Sequence, residues 1–585
     1  MQNTLKRLAG AALCLALASA HAGPKALLIG IDGAQLEKVQ ALNLPNFKRL
    51  NMAKGYTGGV AGSASEQETY SGPSWATILT GVWRNKHQIS SNSDGLANPA
   101  FPSLFKRLRD AYPQAYLASV TNWGNINKQF FANDIRRNNY NAEGLSDEAV
   151  VAKTVELINT TPADFIFVHL DDPDHVGHDS GFGPAYDKAL RQADAHLGRL
   201  LDAVATRQGA SGDNWLVLAT TDHGRDPVKG QNHGAQTRSE KTVFIASNQP
   251  MNAEFTSPVS TVANPAFDGL YGHIAQTWIA PTVLRHMGIE PQRSWLLDGT
   301  PLQGSVGVRK LLPASGAANG FSWAASSGQV EIYRNQQLLA TVPASQQSYV
   351  DTSSPAGLQD YTLLLGSVPV SLRMGRPGLR TALDWSASRS YFFLDDGSYV
   401  RYNQTDDKAD SGYPKRTNNS SWPGLGSYAG QLAASFSKDA NTAYFFLGNG
   451  QYVQYDKVAD KALPGYPQPV SEQNWPGLAA YATQIKATLR LPGNKVAFFL
   501  KDGRFIRYDL ATNRADGGPQ AMDNASWPQL GVDARRITAA LKWDDSRAYF
   551  FLDDGRYIRY NLTQNRAEAN FPKPINSQTW PGLLP

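Results

Sequence analysis

The sequence predicts an α/β/α layered domain, followed by a small β-sandwich and a four-bladed β-propeller. Short apolar runs alternate with helical patterns over residues 23–305, and strand-like segments fill residues 311–375. A motif with a period of 52 or 53 residues then recurs four times over residues 378–585. At 585 residues, of which 42% are hydrophobic, the chain is long enough to bury several cores and too apolar to be disordered.

The first 22 residues are typical of a secretory signal peptide. Lys6 and Arg7 supply positive charge, Leu8 to Ala18 form a short apolar stretch, and residues 20–22 (AHA) fit a small-x-small cleavage site. We therefore expect a periplasmic or secreted protein; a buried first helix is the alternative. The single cysteine, Cys14, lies in this segment, so a mature chain would bind metals only through Asp, Glu, His or hydroxyl groups.

The net charge of +5 is spread along the chain without a block of Lys or Arg. This distribution argues against specific nucleic-acid recognition and slightly favours anionic partners. After the N-terminal segment no apolar run is long enough to span a bilayer, so no membrane span is expected.

Three continuous apolar runs predict central strands of a sheet that is covered on both faces. They are Lys25 to Ile31 (KALLIGI), Phe165 to Leu170 (FIFVHL) and Trp215 to Ala219 (WLVLA). Helical patterns such as Ala185 to Val204 lie between them, which predicts an α/β/α arrangement.

Residues 311–375 are rich in Ser and Ala and contain four strand-like segments. They predict a small β-sandwich spacer that is similar to a fibronectin type III module. The segments are Val330–Tyr333, Gln337–Val342, Tyr361–Leu365 and Val368–Leu372.

Four similar units make up the C-terminal part. Each contains a strand that ends in Phe-Phe-Leu, a glycine turn and a second aromatic strand, and each closes with Trp-Pro. Strand, glycine turn and strand at this period are typical of a propeller blade, so we expect four blades. The closing tryptophans, 53, 52 and 53 residues apart, are Trp422, Trp475, Trp527 and Trp580.

Acidic and histidine residues follow each predicted central strand, where ligands of such sheets collect. Asp32 follows the first strand. Asp174 and His178 follow the second, and Asp222 and His223 follow the third. Carboxylate oxygen and imidazole nitrogen are ligands that zinc accepts, so these residues are candidates for a metal site.

Two further histidines compete for one remaining ligand position. His233 returns after a short loop, and His273 is the alternative. Taken singly, either is explained as an ordinary loop residue. Three tryptophans are candidates for stacking on a base or aryl group, with core packing as the alternative: Trp75, Trp83 and Trp123.

The segment YSGPSWATILTG, from Tyr70 to Gly81, supplies a candidate nucleophile. Gly72-Pro73 followed by a periodic apolar run predicts a helix start. The Ser71 hydroxyl would then lie at the positive end of the helix dipole, where a phosphate would also be held. A plain helix cap is the alternative interpretation of Ser71.

In this order and spacing, the motifs resemble the alkaline phosphatase superfamily over roughly residues 25–300, and within it the nucleotide pyrophosphatase/phosphodiesterase branch. The stretch from Asp222 to His233 is also similar to phosphopentomutases. The resemblance implies two divalent cations, zinc or manganese, roughly 4 Å apart. The ligands would be Asp32, Ser71, Asp222 and His223 for one cation, and Asp174, His178 and His233 for the other.

The same resemblance implies a reaction at Ser71. Its oxygen attacks phosphorus, a phosphoseryl intermediate forms, and water hydrolyses it. The Gly72 amide, with Ser74 or Asn92, would bind the remaining phosphoryl oxygens. The expected function is an exported phosphodiesterase or nucleotide pyrophosphatase that acts on a small phosphate ester or nucleotide.

Departures from the family patterns leave alternatives open. The phosphodiesterase branch usually has Thr and Asn where this chain has Ser71 and Ser74. Sulfatases share the Ser-Gly-Pro-Ser pattern but need Arg at the position of Trp75. An alkaline phosphomonoesterase would need a second arginine for phosphate, for which Arg84 is the candidate. A binding protein that uses its propeller, with a secondary hydrolase domain, is a further interpretation.

The four C-terminal units resemble hemopexin repeats over residues 378–585. Hemopexin domains usually tie the last blade to the first with a disulfide, which this chain lacks, so closure must rest on packing. The resemblance implies a cation in the central channel, held by backbone carbonyls near Ala434, Ala487 and Ala539. It does not identify the propeller's partner.

Overall fold

A computed structural model of the chain describes residues 23–259, 267–314, 319–325, 327–355 and 357–584. The predicted signal peptide, with Cys14, lies outside the described residues. Among the helices of the described ranges, none combines the length and apolar character that a membrane crossing requires.

Helices and one eight-stranded sheet make up the α/β part. The helices of the described ranges are α1 (Leu36–Ala41), α2 (Ser71–Thr80), α3 (Arg84–His87), α4 (Leu104–Ala111), α5 (Ala132–Ile135), α6 (Asp147–Thr160), α7 (Asp172–Ser180), α8 (Pro184–Ser211), α9 (Arg238–Lys241), α10 (Ala253–Thr256) and α11 (Ile279–His286). The strands of the sheet are β1 (Pro24–Ile31), β2 (Asn51–Tyr56), β3 (Leu117–Thr121), β4 (Tyr140–Ala142), β5 (Phe165–Leu170), β6 (Asn214–Thr220), β7 (Thr242–Ser247) and β8 (Ile274–Ala275).

The sheet is mostly parallel, with the order β4-β3-β5-β1-β6-β7-β2-β8. The five strands from β4 to β6 are parallel, and β7 is antiparallel to both of its neighbours. The three predicted central strands are adjacent in this order, and all are buried. Because adjacent parallel strands end at the same edge, the residues that follow them are brought together there.

Helices cover both faces of the sheet, as the alternating pattern predicts. One face packs on α2, α4 and α11, and the other packs on α1, α6 and α8. Continuous runs of apolar residues are therefore explained by burial of both faces of each central strand. The predicted mixed α/β core is confirmed.

Two small antiparallel sheets follow the α/β part. Their strand orders are β13-β10-β9 and β12-β11-β14-β15, and they share one apolar core. Each of the four strand-like segments of the sequence falls within one of these strands. The strands are β9 (Arg309–Pro313), β10 (Gly320–Ala324), β11 (Gln329–Arg334), β12 (Gln337–Pro343), β13 (Ser348–Val350), β14 (Gln359–Leu365) and β15 (Val368–Met374).

Four antiparallel five-stranded sheets complete the described chain, one for each sequence unit. The strands of the first two are β16 (Leu379–Ser386), β17 (Arg389–Leu394), β18 (Ser398–Asn403), β19 (Lys408–Ala409), β20 (Lys415–Arg416), β21 (Leu432–Ser437), β22 (Thr442–Leu447), β23 (Gln451–Asp456), β24 (Lys461–Ala462) and β25 (Gln468–Pro469). Those of the last two are β26 (Ile485–Leu491), β27 (Lys495–Leu500), β28 (Arg504–Asp509), β29 (Arg514–Ala515), β30 (Gln520–Ala521), β31 (Ile537–Lys542), β32 (Arg547–Leu552), β33 (Arg556–Asn561), β34 (Arg566–Ala567) and β35 (Lys573–Pro574).

The four sheets contact one another in cyclic order through their first strands. β16 packs against β21, β21 against β26, β26 against β31, and β31 against β16. Trp422 contacts Phe393 of its own sheet and Phe445 of the next. Trp580 makes the matching contacts with Phe551 of the last sheet and Phe392 of the first. Aromatic packing therefore joins the last sheet to the first.

A buried ion pair fixes the segment that follows α2. The side chain of Lys86 is inaccessible to solvent and donates to Asp298 and, at 2.8 Å, to the carbonyl oxygen of Leu296. The backbone N–H of Trp83 donates to the other carboxylate oxygen of Asp298 at 2.8 Å. Removal of one partner of such a pair leaves an uncompensated buried charge.

We predict that Lys86→Met lowers the free energy of unfolding by about 3–5 kcal/mol, because Asp298 loses its counter-ion. Urea denaturation followed by far-ultraviolet circular dichroism measures the change. The matched control is Lys106→Met, which removes an exposed pair with Asp110 and should cost less than about 1 kcal/mol. Equal losses in the two variants would contradict the prediction.

Candidate metal centre and nucleophile

The carboxyl ends of β5, β1 and β6 supply the core of the site. Asp32 directly follows β1, α7 begins immediately beyond β5 and carries Asp174, and Asp222 and His223 follow β6. Ser71 is the first residue of α2. The structure thus brings the sequence-predicted ligands and the nucleophile candidate to one edge of the sheet.

The first cluster consists of Asp32, Asp222 and His223, all fully buried. The Nε2 atom of His223 lies 3.5 Å from Asp32 Oδ1 and 3.2 Å from Asp222 Oδ2. The Ser71 hydroxyl oxygen lies 3.3 Å from the same nitrogen. Four potential ligand atoms therefore converge on one small volume.

Two carboxylate oxygens of this cluster have no hydrogen-bond partner. Asp32 Oδ1 and Asp222 Oδ2 are both inaccessible to solvent, and both face His223 Nε2. A buried carboxylate oxygen without a donor is costly. A divalent cation at this point would satisfy both oxygens, so the residues present fit a metal ion.

The second cluster adjoins the first. Asp174, His223 and His233 place one ligand atom each within 4.8 Å of one another. His178 Nε2 lies 3.2 Å from Asp174 Oδ2 and 3.0 Å from His233 Nε2. The ring of His223 stacks on that of His233 with centroids 3.7 Å apart. These Asp and His clusters are consistent with a two-metal site, and they leave the identity of the metal open.

Hydrogen bonds fix the tautomers of two histidines. The Nδ1 atom of His223 lies 3.0 Å from the carbonyl oxygen of Gly224, and that of His233 lies 2.9 Å from the carbonyl oxygen of Thr69. A carbonyl only accepts, so both Nδ1 atoms carry the proton. The lone pairs on both Nε2 atoms are then free to bind a cation.

His169 and Trp75 hold Asp32; the sequence analysis did not place His169 in the site, and it considered Trp75 for substrate stacking only. Trp75 Nε1 donates to Asp32 Oδ2 at 3.0 Å, and His169 Nε2 lies 3.1 Å from the same oxygen. The backbone N–H of Trp123 donates to His169 Nδ1 at 3.4 Å, so Nε2 carries the proton and donates to Asp32. His169 therefore orients a ligand. The sequence signal for this role was that His169 is the one polar residue in the apolar run FIFVHL.

Arg225 plays a similar part for Asp174. It is fully buried, and its guanidinium donates to Asp174 Oδ1 and, at 3.1 Å, to the carbonyl oxygen of Gln231. This leaves the other oxygen, Oδ2, directed towards His178. The adjacency of Arg225 to the Asp-His-Gly motif was the only sequence signal for this role.

The N-terminus of α2 forms the candidate phosphate cradle. The Gly72 N–H donates to Asn92 Oδ1 at 2.7 Å, and Asn92 is exposed to solvent. Ser74 is fully buried, with its hydroxyl 3.1 Å from that of Thr57. The structure thus brings Gly72 and Asn92 to Ser71, whereas the Ser74 hydroxyl is engaged in the domain interior.

The other candidates are not members of either metal cluster. Burial, together with the charges of Lys54 and Lys310, lowers the pKa of His273 to about 4. Arg84 donates to the carbonyl oxygens of Glu66 and Asp396 at 3.3 and 3.5 Å. The rings of Trp75 and Trp83 are buried in the core of the α/β part. The structure therefore favours core packing over substrate stacking for both tryptophans, with Trp75 also hydrogen-bonded to Asp32, and a structural role for Arg84.

Without a cation, burial and like charges make the cluster electrostatically unfavourable. Burial, together with the charges of Asp32 and Asp174, raises the pKa of Asp222 well above its usual value. Burial and the neighbouring His233 lower the pKa of His223 to about 3. A bound cation would stabilise the carboxylate form of Asp222 and the neutral form of His223.

Comparison with known proteins places this site in a broad class. Residues 124–290 match the model of the Metalloenzyme superfamily. The matched range includes Asp174, His178, Asp222, His223 and His233. The chain therefore contains a domain of the metalloenzyme, or alkaline phosphatase, superfamily, as the motifs predict.

A curated relative is the 2,3-bisphosphoglycerate-independent phosphoglycerate mutase of Herpetosiphon aurantiacus, 31% identical over 163 residues. The match covers 27% of this chain and 27% of the mutase. The chain thus matches about a quarter of that relative's length. A match of this extent does not establish the reaction.

Among solved structures, the chain has low similarity to a phosphodiesterase and to a sulfatase. Murine ectonucleotide pyrophosphatase/phosphodiesterase 5 is 19% identical with a TM-score of 0.27, over 34% of this chain and 57% of that chain. A 2-O GAG sulfatase is 12% identical with a TM-score of 0.37, over 66% of this chain and 86% of that chain. Similarities this low carry no information about the substrate.

We predict that Asp222→Asn stabilises the metal-free protein while it weakens metal binding. Asn cannot carry the buried charge that ionised Asp222 places beside Asp32 and Asp174. At a pH above the raised pKa of Asp222, the EDTA-treated variant should therefore unfold at a higher temperature than EDTA-treated wild type. The expected shift is roughly 2–4 °C per kcal/mol for a domain of this size. Because the pKa of Asp222 is raised, the metal-free wild type should also gain stability from this group as the pH falls.

Differential scanning calorimetry and metal analysis measure these effects. The control is Asp179→Asn, at an exposed position near the end of the same α7 that carries Asp174. It should change neither quantity. A metal-free Asp222→Asn protein that is less stable than metal-free wild type would refute the electrostatic argument.

Proposed function

We propose that the chain is a metal-dependent phosphoesterase that acts on phosphodiesters or nucleotide pyrophosphates through Ser71. The observation that carries this proposal is the position of the Ser71 hydroxyl. It lies at the N-terminus of a ten-residue helix and 3.3 Å from His223 Nε2, beside two unpartnered carboxylate oxygens.

Two divalent cations, zinc or manganese, would be bound at the clusters. The proposed ligands are Asp32, Ser71, Asp222 and His223 for one, and Asp174, His178 and His233 for the other. Bound there, the cations would lower the pKa of the Ser71 hydroxyl and neutralise charge on the phosphoryl oxygens.

The residues of the chain position the reacting groups. Ser71 Oγ attacks phosphorus in line with the leaving oxygen, and the phosphate becomes esterified to the serine. The positive end of the dipole of α2 faces the developing charge. Asn92 Oδ1 accepts from Gly72, which leaves the Asn92 amino group free to donate to a phosphoryl oxygen.

Hydrolysis of the phosphoserine requires access for water. His178 is the open side of the site, since its side chain is 45% exposed, whereas those of Asp32, Asp222 and His223 are nearly inaccessible. Water is therefore expected to reach phosphorus from the side of His178, in the position that the leaving group has vacated and opposite Ser71 Oγ, whose bond to phosphorus then breaks.

The charges near Ser71 favour diesters over monoesters. A monoester carries a further negative charge, which a free cationic side chain would have to meet. In the described ranges, Arg225 is engaged by Asp174 and Arg84 by backbone carbonyls of Glu66 and Asp396. A diester needs no such partner.

We also propose that the four C-terminal sheets are the blades of a hemopexin-like propeller and that the protein is exported. The cyclic packing of the first strands and of Trp422 and Trp580 supports four closed blades. Residues 23–305, 311–375 and 378–585 would be the three domains. The channel cation near Ala434, Ala487 and Ala539 stays a prediction.

We predict that Ser71→Ala lowers kcat by at least about 10³-fold, because the nucleophilic oxygen is lost. The bound metal should stay above one ion per chain, since the other ligands are intact. The control is Ser180→Ala, an exposed residue at the end of α7, which should keep full activity. Wild-type turnover by Ser71→Ala would show that another group is the nucleophile.

We predict that bis-p-nitrophenyl phosphate is hydrolysed with a higher kcat/KM than p-nitrophenyl phosphate. The reason is the absence of a free cation near Ser71 among the described residues. Initial rates for both esters, with the same enzyme preparation, measure the ratio. A preference for the monoester would favour the alkaline phosphomonoesterase alternative.

A further inference from the structure

A basic cavity of about 550 Å³ lies where the ring of four sheets meets the α/β part. The beginnings of the first strands of all four sheets line it, and so do Gln88, Asn98 and Pro99 of the α/β part. Gln88 Nε2 donates to the carbonyl oxygen of Gly430 at 3.1 Å. The cavity is therefore a cleft between the ring and the α/β part, and none of the residues of the cluster at Ser71 lines it.

The four sheets provide an internal comparison for the residues of this cavity. Arg380, Ala433, Lys486 and Thr538 occupy equivalent positions, each second in the first strand of its sheet. Each lies at a β-bulge, where one residue is left out of the ladder and its side chain is redirected. Since Ala433 and Thr538 occupy this position in two of the sheets, the fold does not require the positive charges of Arg380 and Lys486.

Among the described residues, no carboxylate lies at ion-pair distance from these cations. Asp395 and Asp396 attract Arg380 only at longer range, and Asp553 and Asp502 attract Lys486 in the same way. Arg380 Nε is inaccessible to solvent and has no hydrogen-bond partner. Lys486 Nζ donates only to carbonyl oxygens, those of Ala534 at 3.0 Å and Arg535 at 2.8 Å. Lys501 Nζ likewise donates to the carbonyl oxygen of Thr483 at 2.7 Å.

The acidic residue of the lining does not neutralise them. Asp553 lies 3.2 Å from Arg536, which it pairs with. Burial lowers the pKa of Lys486 to about 8, more than the attraction of Asp553 and Asp502 raises it. Several positive charges that line one cavity without a close ion pair are unfavourable, and an anion between them would relieve the cost.

We propose that this cavity is a binding site for a small organic anion with two or more sulfate, sulfonate or phosphate groups, held by Arg380, Lys486 and Lys501. Its volume suits a small molecule rather than a single ion. The planar guanidinium of Arg380 and the two ammonium groups supply the donors that such oxyanions need. The proposal is independent of the reaction at Ser71.

Isothermal titration calorimetry of the full chain with ethane-1,2-disulfonate tests the proposal. This probe has two sulfonate groups and no phosphate ester for the site at Ser71 to cleave. We expect one site per chain, with Kd raised about tenfold or more by Arg380→Gln and by Lys486→Gln. Chelation of divalent metal should leave Kd unchanged, because no candidate metal ligand lines the cavity.

The matched control is Lys438→Gln. Lys438 is exposed and follows the last residue of β21, whereas the first residues of β21 line the cavity. The substitution therefore removes one positive charge from the same ring but outside the cavity. It should change Kd by less than about twofold. The thermal unfolding temperature of each variant is compared with that of wild type. Lys501→Gln, at an exposed position, replaces any cavity variant that unfolds at a lower temperature than wild type.

Two results would overturn the proposal. One is the absence of binding to wild type at millimolar probe. The other is an equal weakening of binding in the cavity variants and in Lys438→Gln, which would indicate general charge attraction. Neither result would affect the phosphoesterase proposal, since Ser71 is not involved.

Discussion

The buried negative charge at the edge of the central sheet is the constraint on which the rest of the α/β part depends. The charges of Asp32 and Asp174 both act to raise the pKa of Asp222, and the charge of Asp174 acts in the same direction on Asp32. No apolar core can hold three such carboxylates without compensation. The fold compensates in two ways. Fixed donors bind one oxygen of each carboxylate, and the other oxygens point towards volumes that cations can occupy.

The fixed donors come from every layer around the sheet. Asp32 is held by Trp75 of α2 and His169 of β5, while Asp174 is held by Arg225. Asp222 accepts from the backbone N–H of Gly33 at 3.1 Å. In each case one carboxylate oxygen is engaged by the protein, so the orientation of the other is determined before any metal binds.

This orientation constrains residues that never touch the site. A Cβ atom on Gly30 would lie 2.2 Å from the ring of Trp75, so a side chain there would push Trp75 away from Asp32. Thr69 connects the loop that leads to Ser71 with the loop that carries His233. Its carbonyl oxygen accepts from His233, and its hydroxyl accepts from the Gly234 N–H at 3.0 Å. The segment from Gln88 to Pro99 similarly contacts the ring at one point and Gly72 at another.

The sequence by itself determined the strands, the repeated sheets and most of the candidate ligands. The three apolar runs agree with β1, β5 and β6 to within one residue at either end, because burial on both faces requires continuous apolar side chains. The helix expected over Ala185 to Val204 continues to Ser211, since its polar last turns face solvent and only Gly212, at a φ of 73°, ends it. Apolar periodicity cannot reveal such an extension.

Only the tertiary structure decided which polar residues act together. His169 looked like part of a buried strand, Arg225 like a loop residue, and Ser74 like a phosphate ligand. Their roles depend on distances between atoms far apart in the chain, such as His169 Nε2 and Asp32 Oδ2, 137 residues away. The same holds for Arg380 and Lys486, which line one cavity only when the four sheets close around them. Local sequence specifies elements through burial, whereas charge and hydrogen bonding are settled by the neighbours that folding supplies.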